Sequence, residues 1–228
     1  MTRRRSGGTN REQGDTRSET RFALDPYFAC LIFAAVGLGT LKLDTSPRLI
    51  ILWTTLLGLW IVFREGQTMQ VKYDLTEIGR GTAIGLAMSV PLTLIAFQLL
   101  VTAIPILYIS AEPSTVVGAS ATTIFASLVL VAPLAEELFF RDVLQRGRGF
   151  WIAVALYAVA GIIFFLPTSG NFVAVLAAVS GASAVLGILY AFLYERYGLA
   201  VALTCHTTIN LVLLFVPALI GHLELLAR

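Results

Sequence analysis

The chain predicts an all-α, polytopic membrane protein of about seven transmembrane helices. Apolar residues make up 57% of its 228 positions and charged residues 13%, against roughly 45–50% and ~25% in soluble domains. Mean hydropathy is +0.82. Sixteen basic and fourteen acidic residues cannot coat the surface of a water-soluble globule of this size, which excludes a soluble enzyme. Only two cysteines are present, Cys30 and Cys205, so neither a disulfide framework nor a CxxC metal site is available. A net charge of +2 gives no reason to expect nucleic acid as a partner.

Each span follows from length. A hydrocarbon core of ~30 Å needs about 20 helical residues. Residues 1–21 are polar, carry no apolar periodicity and read as a disordered cytosolic tail. Helices at about 26–43 and 48–63 are short, and flanking Lys42, Arg48 and Arg64 extend them by snorkelling. Gly81–Ala111 is free of charge over 31 residues and supports a helix at 82–110. Pro113–Ala135 is free over 23, and the helix there is placed at 115–141. Gly149–Tyr194, free over 46, is too long for one span. The turn cluster 167–171 divides it into helices at 150–167 and 172–195. The last helix is placed at 198–221. On helix six, Ala177, Gly181, Ser183 and Gly187 form small-xxx-small pairs suited to close packing in lipid.

With the N-terminus inside, 13 of the 16 basic residues fall in cytosolic segments, and only Lys42, Arg48 and Arg228 stay outside. The positive-inside rule therefore predicts a cytosolic N-terminus and an outside C-terminus, in a multi-pass cell-membrane protein.

Ionisable groups inside apolar spans carry the chemistry, because an acidic residue at mid-span costs about 2.5–3.5 kcal/mol. Glu136 and Glu137 follow an apolar run directly, and Arg141 shares a helical face with Glu137. A carboxylate in such surroundings suits a general base. A structural Glu137–Arg141 salt bridge is the competing reading. In the last helix, His206 and Asn210 share a face and can hold a water, polarise a carbonyl, bind a metal or join two helices. His206 falls about 12 Å and Glu136 about 15 Å from the cytosolic surface at 1.5 Å per residue. The two should share one cavity, expected to open to the cytosol. His222 is expected at the outer interface. Cys205 is expected in packing, with a thiol nucleophile as a remote alternative.

Glu136-Glu137-Leu-Phe-Phe-Arg141 is an EExxxR motif and His206-Thr-Thr-Ile-Asn210 an HxxxN motif. Together they resemble the CPBP family of intramembrane endopeptidases, which includes the type II CAAX prenyl endopeptidases. The resemblance covers roughly residues 115–216 and implies a four-helix protease core there. Residues 22–110 are then accessory helices and 217–228 a C-terminal end. It implies that Glu136 activates a water, that Glu137 and Arg141 support it, and that His206 and Asn210 orient or stabilise the oxyanion. The family's FxxxH motif departs here, with Thr168 in the histidine position. A hydroxyl is a poor zinc ligand and no base at neutral pH. No metal is therefore assigned and no cofactor required, a zinc-type ion being the alternative. Thr168 is carried as a replacement hydrogen-bond donor, and Thr168→His should leave turnover intact or raise it.

The reading is an intramembrane endopeptidase acting on a membrane-associated protein or peptide, in processing of the CAAX, bacteriocin or C-terminal sorting-signal type. Its alternatives are a catalytically impaired adaptor or immunity protein of the same fold, and a small transporter relaying protons through Glu136 and His206.

Overall fold

A computed structural model describes residues 25–64, 74–108, 120–166 and 173–226. Among the described residues the chain is all-α, without strands, and forms seven helices. α1 is Pro26–Gly39, α2 Thr45–Phe63, α3 Leu75–Tyr108 and α4 Ala121–Arg148. α5 is Phe150–Phe165 and α6 Val173–Tyr197. α7 continues from Leu199–Ile209 through Asn210–Phe215 to Val216–Leu226. Five of the seven contain a stretch long and apolar enough to cross a bilayer, and α1 and α5 are shorter apolar helices. The protein is a multi-pass membrane protein.

Local chemistry sets the ends. Asp25 caps α1 by accepting from Tyr27 N–H at 2.9 Å, with Pro26 at the first helical position. That bond and the neighbouring Arg148 hold the Asp25 carboxyl below the usual carboxylate range. Ser120 caps α4 through Thr123 N–H at 3.1 Å. Single glycines separate α4 from α5 and α6 from α7. Gly149 has φ 89° and Gly198 φ 94°, a region where only glycine is free of strain. Each break costs one residue, so the chain reverses with almost no loop. α3 starts at Leu75, earlier than the charge-free window predicts, because Glu77 and Arg80 lie at its end and need not be buried in lipid.

The helix ends sort into two groups. Arg64 pairs with Asp142 at 3.5 Å, Arg146 with Asp142 at 3.0 Å, and Arg148 with Asp25. Arg80 lies over the Tyr197 ring at 4.7 Å. The start of α1, the end of α2, the start of α3 and the ends of α4 and α6 therefore meet at one basic end.

Lipid tails are as apolar as leucine, so helices associate through close packing and hydrogen bonds. Gly81 and Gly85 on α3 supply the closest approach to α7. A Cβ at Gly81 would lie 2.6 Å from the Val201 carbonyl oxygen, and one at Gly85 2.9 Å from that of Cys205. This small-xxx-small pair escaped the sequence reading. On α6 only half of the expected surface packs: Gly187 meets Tyr157 and Ser183 meets Gly161 of α5, whereas Ala177 and Gly181 are exposed.

Arg48 corrects a second expectation. It does not snorkel but is 1% exposed, its guanidinium donating to the carbonyl oxygens of Gly37, Ile163 and Phe164. These are last-turn carbonyls of α1 and α5, which lack helical partners and carry the negative end of the helix dipole. Arg48→Met should therefore destabilise the fold. The Gly37 carbonyl keeps the Thr40 hydroxyl at 3.2 Å, but those of Ile163 and Phe164 lose the guanidinium. Each acceptor left without a donor costs about 1–3 kcal/mol, which thermal unfolding in detergent would register as a lowered Tm. An unchanged Tm would show that the guanidinium is replaceable by solvent.

Candidate active site

Three helices hold Glu136 from different sides. It lies in the α-helical turn Ala132–Glu137 of α4, between π-helical stretches Ala126–Val131 and Leu138–Gln145. π turns re-aim side chains relative to a regular helix and recur at functional sites. Glu136 Oε1 accepts from Trp53 Nε1 of α2 at 3.1 Å, and Oε2 from the Tyr157 hydroxyl of α5 at 2.7 Å. His206 Nε2 of α7 stands 3.8 Å from Oε2. Two neutral donors fix the carboxylate without cancelling its charge.

Glu137 is fully buried and joins two cationic or polar partners. Its Oε2 is 3.4 Å from Arg141 Nε, and its Oε1 is 2.9 Å from His206 Nδ1. The expected Glu137–Arg141 pair is present, and the link to His206 is additional. A carboxylate on Nδ1 fixes the ring's orientation and turns Nε2 towards Glu136. Tyr190 of α6 stacks on the imidazole with centroids 4.3 Å apart and an interplanar angle of 16°. Arg141 is completely buried, with its guanidinium 5.2 Å from the Tyr157 ring centroid.

Asn210 opens the π-helical stretch of α7 and donates through Nδ2 to the Leu128 carbonyl oxygen at 2.9 Å. Leu128 lies in the first π-helical stretch of α4, so this bond ties the irregular parts of the two helices together. Thr168 lies outside the described residues. Cys205 is fully buried and does not line the cavity, which removes it as a nucleophile candidate. His222 is 6% exposed, packed against neighbouring side chains in the last stretch of α7.

Trp53, Tyr157 and Tyr190 were missed from sequence. Tyr157 had a readable signal, a hydroxyl seven residues into a charge-free span, at a depth matching that of His206 in its own helix. Trp53 had none, since only the packing of α2 against α4 brings its indole to Glu136.

A cavity of about 180 Å³ meets this cluster, with Glu136, Tyr157, His206 and Asn210 in its wall. Its lining is one-sided. On α2 it uses Leu49 and Trp53 and nothing nearer the basic end; on α4 it stops at Glu136, and on α7 it starts at His206. On α3 it uses only residues from Ile104 onward, and on α5 it runs from Tyr157 to Phe165. Beyond Glu136, towards the basic end, Phe139, Phe140, Arg141 and Leu144 are at most 1% exposed and fill the space. The cavity therefore extends from Glu136 away from the basic end of the bundle. Counting residues from a helix end gives depth, but where bulky side chains plug the bundle gives direction.

The donor set offers a metal little. Among the described residues no group of three His, Cys, Asp or Glu side chains is arranged to hold an ion. His206 is the sole imidazole at the cluster, and its Nδ1 already faces Glu137.

Comparison with curated proteins and with solved structures gives no match. A family model does match, and its span contains Glu136, Glu137, Arg141, Tyr157, Tyr190, His206 and Asn210 but not Trp53. That match supports an intramembrane protease-type function and a membrane-associated protein or peptide substrate. Residues 118–212 match the model of the type II CAAX prenyl endopeptidase Rce1-like family, consistent with the CPBP family that the two motifs resemble.

Proposed function

We propose that the protein is an intramembrane endopeptidase in which Glu136 activates the hydrolytic water. The observation that carries this reading is the Glu136 carboxylate, held by Trp53 and Tyr157 in a cavity wall with His206 Nε2 3.8 Å away. Water gives a proton to Glu136 as its oxygen attacks the peptide carbonyl carbon. The oxyanion receives hydrogen bonds from the His206 ring, which Glu137 holds through Nδ1, and from the second N–H of the Asn210 amide. Collapse breaks the C–N bond, and Glu136 returns the proton to the departing amine. Arg141 balances the Glu137 charge. Thr168 is kept as a further donor.

The substrate is a membrane-associated protein or peptide, processed in the CAAX, bacteriocin or C-terminal sorting-signal manner. The protein sits in the cell membrane with its N-terminus in the cytosol. Co-expression with candidate membrane substrates tests the reading: a shifted product band should appear with the wild type and vanish with Glu136→Ala. A band that persists with the variant would overturn it.

Activity should also survive chelation. One imidazole and Glu136 leave too few strong ligands for a tetrahedral zinc site, and a carboxylate-activated water needs no metal. Loss of cleavage in chelator with recovery on added zinc would make the mechanism metal-dependent.

A further inference from the structure

We propose that substrate reaches Glu136 from the extracytoplasmic half of the membrane, so that the scissile bond belongs to an exported polypeptide rather than to a cytosolic tail. This rests on the protease reading for its chemistry, but its geometry stands apart. The six helices that line the cavity, α2 to α7, do so only from the level of Glu136 away from the basic end. Towards the basic end, the path is filled by Phe139, Phe140, Arg141 and Leu144. Beyond them, Asp142 is tied to Arg64, Arg146 and the Trp60 indole, at 3.5, 3.0 and 3.0 Å.

Charge then assigns the sides. Of the described basic residues, Arg64, Arg80, Arg146, Arg148 and Arg196 lie at or beside the plugged end, and Arg141 is buried one turn within it. Only Lys42 and Arg48 belong to the opposite end, and Arg48 is spent on helix carbonyls. Basic loops stay in the cytosol because translocating Lys and Arg is disfavoured. The plugged end is thus cytosolic and the cavity faces outward. Tyr108, Phe164, Phe165, Leu213 and Leu214 line it, a surface that accepts an apolar stretch of peptide. The substrate class that fits is a membrane-anchored polypeptide whose apolar segment is cut near the outer leaflet after export.

Sided cysteine labelling tests this without requiring turnover. In a full-length chain with Cys30 and Cys205 replaced by alanine, Leu107→Cys and Leu213→Cys place thiols in the cavity wall, and Arg146→Cys marks the basic end. A charged, membrane-impermeant thiol reagent should modify both cavity positions in intact spheroplasts and spare them in sealed inverted vesicles. Arg146→Cys should behave oppositely. Cavity labelling from the inside, labelling from neither side, or Arg146→Cys labelling from the outside would each overturn the proposal. In a second arm, a single-span reporter tagged at both ends is co-expressed. Release of its exported tag supports the proposal, and release of its cytosolic tag alone overturns it. With labelling as expected but no Glu136-dependent cleavage of any substrate, the protease reading would fail while the outward cavity stands.

Discussion

Glu136→Gln should eliminate proteolysis and leave the protein folded. Glutamine fills the same volume, so Trp53 and Tyr157, which bond to Glu136 at 3.1 and 2.7 Å, keep a side chain between them. An amide has no oxygen basic enough to take a proton from water. Removing a general base of this kind lowers turnover by roughly 10²–10⁴-fold, and product formed per unit of protein in co-expressing membranes would read it. Thermal unfolding of the purified variant should stay close to wild type. Product at the wild-type level would make Glu136 structural, and the protease reading of this site would fall with it. Tyr157→Phe separates charge from positioning, since it removes one donor yet leaves the base. It should reduce turnover less than Glu136→Gln does.

Arg141→Met should give a large loss of stability. Both members of the Glu137–Arg141 pair are wholly buried, and the remaining polar partner of Glu137 is the His206 ring at 2.9 Å. Removing one member of a buried ion pair costs about 3–5 kcal/mol, because the surviving charge loses its compensation in a poorly polarisable interior. The double variant Glu137→Gln with Arg141→Met removes both charges and should recover much of that loss. Melting of the three proteins in one detergent makes the comparison. A double variant no better than Arg141→Met would mean that the guanidinium acts through its packing on Tyr157 rather than through charge. Either way the double variant should lose activity, since His206 is then no longer oriented by a carboxylate.

The sequence alone determined the membrane class, the number of helices and the residues of the two motifs. These are properties of short windows. A bilayer requires about 20 apolar residues per span, so each crossing is legible in its own stretch, and a carboxylate inside one declares itself by its cost. Thirty-four residues of α3 were readable in this way except for the charged turns at its start, where water rather than lipid sets the limit.

Only the tertiary structure decided what surrounds the motifs. Trp53 and Glu136 are 83 residues apart, and the pattern of a tryptophan in an apolar helix is the same whether it faces lipid or a carboxylate. Arg48 looked like an interfacial cation, and became buried because two helices end beside it with unpaired carbonyls. The Gly81–Gly85 contact depends on which helix lies opposite, a matter of two surfaces rather than one. The direction of the cavity was least legible of all. Residue counting places Glu136 and His206 at similar depths, yet depth along single helices is blind to which end of the bundle the aromatic and leucine side chains of α4 will fill. That is settled when the helices pack, because there the volume between them is either occupied or left open.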